Sequence, residues 1–302
     1  MPSTSSPDSR NPVAPGTLYV VATPIGNLED ITLRALAVLR AVDLVAAEDT
    51  RKTALLLRHF GISVPLLSYH EHNETVRTPE LVQRLRDGAA VGLVTTAGTP
   101  CISDPGYRVV AAAATAGLPV VPVPGPSAAA AALSAAGLPT DAFVFEGFLP
   151  KKPGKRAARI KALASENRTL ILYESPQRVT GLIESMLPEF GARPAVLARE
   201  LTKRYEEFFR GTLGDILAAL RQRGDIKGEC TLLVAGRTEA ATSWEDARAD
   251  IRRGLAMGTG SLSELAREVA RAHGLPRQAV YEEALGLRSG QRAVDREDTP
   301  NE

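Results

Sequence analysis

Short β-branched runs alternate with stretches of helical spacing through the first half of the chain, and that alternation confines it to a mostly parallel sheet covered by helices. Leu18-Tyr19-Val20-Val21-Ala22 ends at Thr23-Pro24 and Gly26-Asn27, after which Ile31, Leu33, Leu36, Leu39 and Val42 fall near helical spacing. The unit recurs. Leu44-Val45-Ala46-Ala47 ends at Glu48-Asp49, and Val91-Gly92-Leu93-Val94 runs into Thr95-Thr96-Ala97-Gly98-Thr99-Pro100-Cys101-Ile102-Ser103-Asp104-Pro105-Gly106. Leu118-Pro119-Val120-Val121 ends near Val123-Pro124-Gly125-Pro126-Ser127-Ala128, which opens an alanine-rich helix. Either of these last two loops alone reads as an ordinary turn. As strand ends of one sheet, built of Gly, Pro and Ser that suit close backbone approach, they read together as walls of one binding cleft.

The spacing predicts an N-terminal α/β domain over 17–139, ended by the break at Leu138-Pro139-Thr140. A second α/β domain is expected over 140–238, with strands at Phe143-Val144-Phe145, Thr169-Leu170-Ile171-Leu172-Tyr173, Ala195-Val196-Leu197-Ala198 and Thr231-Leu232-Leu233-Val234. The active cleft is expected between the two. From Thr242 the pattern is all helix: Ser261 and Glu264 stand at capping-box spacing, and Gly274-Leu275-Pro276 forces a turn. Val280, Ala284 and Leu287 then recur on one helix face, so 243–288 reads as a small helical module of helix-turn-helix form. Such a pair is a nucleic-acid reader in some folds and a docking bundle in others, and both stay open. Residues 1–16 and 289–302 are polar and are expected to be disordered tails.

Composition removes several classes. The 302 residues carry 36 Lys and Arg against 35 Asp and Glu, so no global field draws the protein to nucleic acid or membrane, and any RNA contact must use local patches. Cys101 and Cys230 are too few for a disulfide framework or a cysteine zinc site, which fits a reducing, cytoplasmic setting. The tail 1–16 lacks the apolar run of a signal peptide, and no stretch of about eighteen apolar residues suggests a membrane span. The loop Thr23-Pro24-Ile25-Gly26-Asn27 has one glycine where a dinucleotide fold needs three, and neither a Gly-x-x-x-x-Gly-Lys loop nor a Gly-x-Ser-x-Gly elbow occurs.

A resemblance to a known family rests on Thr23-Pro24-Ile25-Gly26-Asn27-Leu28, Glu48-Asp49-Thr50-Arg51, Ser68-Tyr69-His70-Glu71-His72-Asn73 and the two loops above. Tyr173-Glu174-Ser175-Pro176 with Arg178, Arg199-Glu200-Leu201-Thr202-Lys203 and Lys227-Gly228-Glu229 extend it over about residues 17–236. These motifs resemble the ribosomal RNA small-subunit methyltransferase I group of the tetrapyrrole (precorrin) methylase superfamily. The resemblance implies two α/β domains of the tetrapyrrole methylase type with the helical module appended, and a homodimer. It also implies S-adenosylmethionine as methyl donor to the ribose 2′-hydroxyl of a cytidine in the decoding centre of 16S RNA, in the small ribosomal subunit. By the same resemblance Gly98, Thr99, Cys101 and Ile102, then Gly125, Ser127 and Ala128, then Leu172 and Tyr173 hold the cofactor, with Pro24 and Gly26 beside them.

A ribose hydroxyl is a poor acid, so a base or cation near it is needed, and Glu48, Asp49 and Arg51 at one strand end and Arg199, Glu200 and Lys203 at another are the candidates. Charges that follow apolar strands also serve as helix caps or surface ion pairs, and the base is not assigned among them. His70 and His72 flank Glu71 with no further ligand nearby, so a polar loop rather than a metal site is expected. Lys151, Lys152, Lys155, Arg156, Arg159 and Lys161 form the densest basic run; such a run is usually a solvated face, but without compensating acids this one can neutralise several phosphates and is the first choice for the RNA contact. Two positions depart from the family pattern: Thr96 stands where an aspartate is usual and Gln177 where a histidine is usual. They keep open a non-catalytic RNA-binding or assembly protein on this fold. A tetrapyrrole methyltransferase, which has no use for the basic run, is the other alternative.

Overall fold

The computed structural model describes residues 13–223, 226–237, 244–257, 261–273 and 275–297, with 289–297 as backbone alone. Residues up to 236 form one compact unit and those from 237 another.

The larger unit opens with β1 (Leu18–Val21), α1 (Leu33–Ala41), β2 (Leu44–Ala47), α2 (Thr50–His59), β3 (Leu66–Ser68), α3 (Glu74–Arg86), β4 (Val91–Val94), α4 (Tyr107–Thr115), β5 (Val120–Val123) and α5 (Ala128–Ala136). Its sheet has the order β3-β2-β4-β1-β5, every pair parallel. The central strands β2 and β4 are buried on both faces, which is why they read as continuous apolar runs. On one face pack Ala35, Leu36, Val38 and Leu39 of α1 and Leu57 of α2; on the other, Leu81 and Leu85 of α3 and Val109 and Ala113 of α4. The strand expected at 118–121 starts at Val120 and runs on through Pro122, tolerated because β5 lies at the sheet edge. The expected tail over 1–16 is corrected at its end: Val13 packs on the first core and the Gly16 N–H donates to the Gly88 carbonyl at 3.0 Å. Residues 1–12 lie outside the described residues.

There follow β6 (Phe143–Phe148), α6 (Pro153–Leu163), β7 (Thr169–Glu174), α7 (Pro176–Phe190), β8 (Pro194–Arg199), β9 (Glu207–Thr212), α8 (Leu213–Gln222) and β10 (Cys230–Val234). This sheet has the order β6-β7-β10-β8-β9, mixed in direction, with only β6 and β7 parallel. One face carries Leu170, Leu172 and Leu232 into a core with α6, α7 and α8. The other carries Ile171, Val196, Ala198 and Leu233 against Ala129, Ala132, Leu133 and Ala136. Thus α5 leaves the first sheet but is buried on the second, and it ties the two halves together. Arg210 of β9 clasps its far end by donating to the carbonyl of Ala135 at 2.6 Å.

The second unit holds α9 (Trp244–Met257), α10 (Leu262–His273) and α11 (Arg277–Glu297) around Ala247, Ile251, Ala266, Val269, Val280 and Ala284. Ser261 and Glu264 form the reciprocal cap that their spacing predicts, with Glu264 N–H donating to Ser261 Oγ at 3.2 Å and Ser261 N–H to Glu264 Oε2 at 2.9 Å. The expected tail from 289 is corrected as far as Glu297, where α11 ends; 298–302 lie outside the described residues.

One bulge positions the site. Between Phe145 and Gly147 the register of β6 against β7 shifts, and Gly147 takes φ +60°. A Cβ built there lies 2.4 Å from Ser103 Oγ, so the bare backbone lets the loop after β4 touch the second sheet. Gly147→Ala is therefore expected to destabilise the fold by about 2–4 kcal/mol, from left-handed backbone strain and overpacking together. Urea denaturation measures it, and an unchanged midpoint would contradict the contact.

Candidate functional site

Parallel pairing aligns the C-terminal ends of all five strands of the first sheet, so the segments after β1, β2, β3, β4 and β5 gather at one edge. In the second sheet, register places Phe148 beside Tyr173, Cys230 beside both Glu174 and Arg199, and Arg199 beside Glu207, which builds a second edge from β6, β7, β8, β9 and β10. A cavity of about 460 Å³ lies where the edges meet. Its walls from the first half include Ile25, Glu48, Lys52, Thr96, Gly98, Thr99, Ile102, Ser103, Asp104, Ser127 and Ala128. From the second half come Phe148, Tyr173, Glu174, Ser175, Glu229 and Cys230.

The two loops are held rigidly. Thr23 and Gly98 exchange two backbone hydrogen bonds, at 2.9 and 3.0 Å, and Thr99 Oγ1 donates to the Pro126 carbonyl at 3.0 Å. Ser127 precedes α5 without capping it by its side chain. Tyr173, from the other sheet, does part of that work: the Ala129 N–H donates to its hydroxyl at 3.0 Å. Cys101 and Ser103 sit at φ 71° and 64°, and across the cleft Glu200 and Thr202 sit at 53° and 65°. Four such residues beside one cleft store strain of about 1–3 kcal/mol each, which the surrounding contacts must hold.

The electrostatics centre on Asp104. Burial, with the Glu48 carboxylate adding to it, pushes its carboxyl up from 3.8 to about 7. Glu48 accepts from the Thr96 N–H at 2.9 Å. Thr96 lines this cavity beside Glu48 and Asp104, so two carboxylates face the space next to it. Burial also lifts the Tyr173 phenol and the Cys230 thiol, the latter to about 11, so neither ionises readily at neutral pH. Buried Glu174 takes the Ser175 N–H at 2.7 Å and the Arg178 guanidinium on one oxygen.

Of the residues singled out from sequence, Glu48, Gly98, Thr99, Ile102, Ser127, Ala128 and Tyr173 line this cavity. Pro24, Gly26 and Lys203 line a smaller one of about 440 Å³, continuous with it through Ile25, Lys52, Thr96 and Glu229. Cys101 and Asp49 face a third, of about 920 Å³. Gly125 does not face the cavity: its close neighbour is Ala22, whose Cβ would lie 2.9 Å from a Cβ built at 125. Leu172 points to the opposite face of β7, because strand side chains alternate and Tyr173 takes the cleft side. Asp49 caps α2 and pairs with Arg51, which is exposed. Arg199 bonds Glu207 and the Lys227 carbonyl away from the cleft. Lys203 bridges Glu200 at 2.8 Å and Glu229 at 3.1 Å, a latch between the segments flanking β8 and β10.

Arg159 of the basic run is ion-paired with Glu146, so the expectation of a run without compensating acids is corrected there. Lys151 lines a shallow pocket with Phe148, Ser175 and Arg178, beside the main cavity. Gln177 is exposed on α7. Lys52, Asp104 and Glu174 also line the cavity and are not among the candidates read from the sequence. Asp104 was within reach, since the loss of a carboxylate at 96 directs attention to the next one on the same loop. Among the described residues no group of three or more His, Cys, Asp or Glu is placed to hold a metal ion, and no helix is long and apolar enough to cross a membrane.

Residues 17–217 match the family described as Tetrapyrrole (Corrin/Porphyrin) Methylases. The chain is 48% identical over 274 residues to ribosomal RNA small subunit methyltransferase I of Escherichia coli O157:H7, covering 89% of this chain and 95% of that one. To the protein of that name in Micromonospora olivasterospora it is 47% identical over 269 residues, covering 89% and 86%. Among solved structures, uroporphyrin-III-C-methyltransferase from Thermus thermophilus is similar with a TM-score of 0.52 and 26% identity, over 73% of this chain and 94% of that one. A uroporphyrin-III C-methyltransferase from the same organism complexed with S-adenyl homocysteine shares the fold, with a TM-score of 0.52 and 19% identity, over 72% of this chain and 97% of that one.

The raised Asp104 pKa sets a sign for stability. Between pH 3.8 and about 7 the folded protein keeps a proton that the unfolded chain has released, so this group lowers stability as pH rises through that window. Asp104→Asn removes the effect, and its melting temperature is expected to gain on the parent protein's from pH 5 to pH 8. A difference independent of pH would show that the carboxyl is not held in this state.

Proposed function

This chain belongs to the tetrapyrrole methylase family and, within it, to the ribosomal RNA small subunit methyltransferase I group, and we propose that it methylates the ribose 2′-hydroxyl of a cytidine in 16S RNA with S-adenosylmethionine as donor. The observation that carries this is the wall shared by the 460 Å³ and 920 Å³ cavities, which bears Glu48, Lys52, Thr96, Ser103 and Asp104. Donor on one side and acceptor on the other meet there.

The smaller cavity suits the donor. Ile25, Ile102, Ala128 and Phe148 offer apolar surface, the Gly98-Thr99 and Ser127-Ala128 backbones offer polar groups, and the Glu48 carboxylate favours a cation. S-Adenosylmethionine bound there supplies a methyl group already activated on a sulfonium, so alignment rather than covalent help is what the protein must provide. Asp104, ionised above about pH 7, would take the proton of the ribose hydroxyl as that oxygen receives the methyl carbon, whose bond to sulfur breaks and leaves the sulfur neutral. Lys52, on the same wall and in no ion pair among the described residues, steadies the negative charge that develops on the oxygen. Glu48, anchored by the Thr96 N–H, keeps Asp104 basic by its charge.

Support for the substrate comes from the names of the relatives and from Lys151, beside the cleft, with Lys152, Lys155 and Arg156 following it in the chain and none of the four in an ion pair among the described residues. A homodimeric, cytoplasmic enzyme acting on the small subunit, with 243–288 helping to place the substrate, completes the proposal.

Asp104→Asn is expected to lower kcat by about 10²–10⁴-fold with cofactor affinity kept, as loss of a general base does. The parent protein's kcat should rise with pH through about 7 and the variant's should not. Full activity in the variant, measured by labelled methyl transfer to small subunits, would remove Asp104 from the reaction. Lys152→Glu with Arg156→Glu should weaken binding to RNA and flatten its salt dependence by about two phosphate contacts. Equal salt slopes by filter binding would move the RNA track elsewhere.

A further inference from the structure

The larger cavity has a distinct character. Tyr107, the first residue of α4, stands on its rim and is 73% exposed, a large ring left in water beside a polar space. Of the carboxylates that line it, Asp49 is committed to Arg51, Glu74 to Arg108 at 2.6 Å, and Glu48 to the Thr96 N–H. Glu71 has no hydrogen bond or ion pair among the described residues. The imidazole of His70, also in the wall, has Nε2 at 3.3 Å from Asn73 Nδ2, while its Nδ1 is buried without a partner. Lys52 and Arg108 also line the cavity, so its walls are of mixed charge, and exposed Glu71 is the carboxylate left to accept from a guest. A planar, uncharged group that donates hydrogen bonds suits that acceptor.

Resting on the methyl-transfer function above, we propose that this cavity receives the unstacked target nucleotide of a single-stranded RNA segment, its base stacked on Tyr107 and its exocyclic amino group donating to Glu71. An amino group on cytosine is the natural partner of a carboxylate, whereas uracil presents a carbonyl oxygen at that place. The base turns inward while the ribose stays at the shared wall beside Asp104 and Lys52. Tyr107 and Glu71 are thus positioning and specificity residues. They touch the base and leave the proton transfer to Asp104.

The test uses the full chain with S-adenosylhomocysteine bound. Saturation-transfer NMR is expected to show cytidine 5′-monophosphate binding more tightly than uridine 5′-monophosphate, a preference abolished by Glu71→Gln. In methylation of small ribosomal subunits, Tyr107→Ala should lower kcat/KM about tenfold and Tyr107→Phe should restore it, as loss and return of one stacked base requires. Melting temperature and S-adenosylhomocysteine affinity should stay unchanged in all three variants. Two nucleotides bound equally by the unaltered protein, or a Tyr107→Ala enzyme with the parent's kcat/KM, would overturn the assignment. A parent protein that transfers no methyl to small subunits would instead overturn the function itself, and this site with it.

Discussion

Parallel strand pairing in the first sheet is the constraint on which everything else depends. It forces each strand to be followed by a crossover, and so brings five loops to a single edge. The second sheet meets them with an edge of its own, and α5, buried against Ile171, Val196 and Leu233, holds the two in register. The close approaches that follow are specific: Gly147 under Ser103, Ala22 against Gly125, and Tyr173 on the start of α5. The positive φ of Cys101 and Ser103 is the conformational strain of that fit, carried where the loop reaches across.

Charge is distributed to match. Carboxylates line the interior of the cleft together with Lys52 and Arg108, with Asp104 kept partly protonated by burial and by Glu48, while further lysines and arginines lie on α6 and in the segment before it. In the proposed function, a nucleic acid held by its phosphates outside presents one nucleotide to this interior. With a net charge of +1 the molecule has no strong overall field, so any electrostatic attraction to RNA is local.

Much of this was legible in the residues, and the exceptions have physical causes. Strands β2 and β4 were readable because burial on both faces leaves unbroken apolar runs bounded by loop residues. Strand β3 is three half-buried residues, and β9 is a half-exposed edge strand with Glu207 and Arg210 in it, so neither carries the apolar signal that pattern reading detects. The cofactor loops were readable from Gly, Pro and Ser, yet which of their residues face the cleft was not. Gly125 answers to a neighbouring strand, and Leu172 and Tyr173 differ by one step of a two-residue period. Asp49, Arg51 and Arg199 are charged residues at strand ends whose partners prove to be a helix N-terminus, Asp49 and Glu207. Burial decides which carboxylate is perturbed, and burial at a strand end is a tertiary property that one sequence does not display.

The central claim is that these two cavities bring an activated methyl group to a ribose hydroxyl of small-subunit RNA. Purified protein, methyl-labelled S-adenosylmethionine and isolated small ribosomal subunits, followed by nucleoside mass spectrometry of the recovered RNA, test it most directly. The account predicts label in 2′-O-methylcytidine. Label on a base, or transfer to a tetrapyrrole with none to RNA, would contradict it.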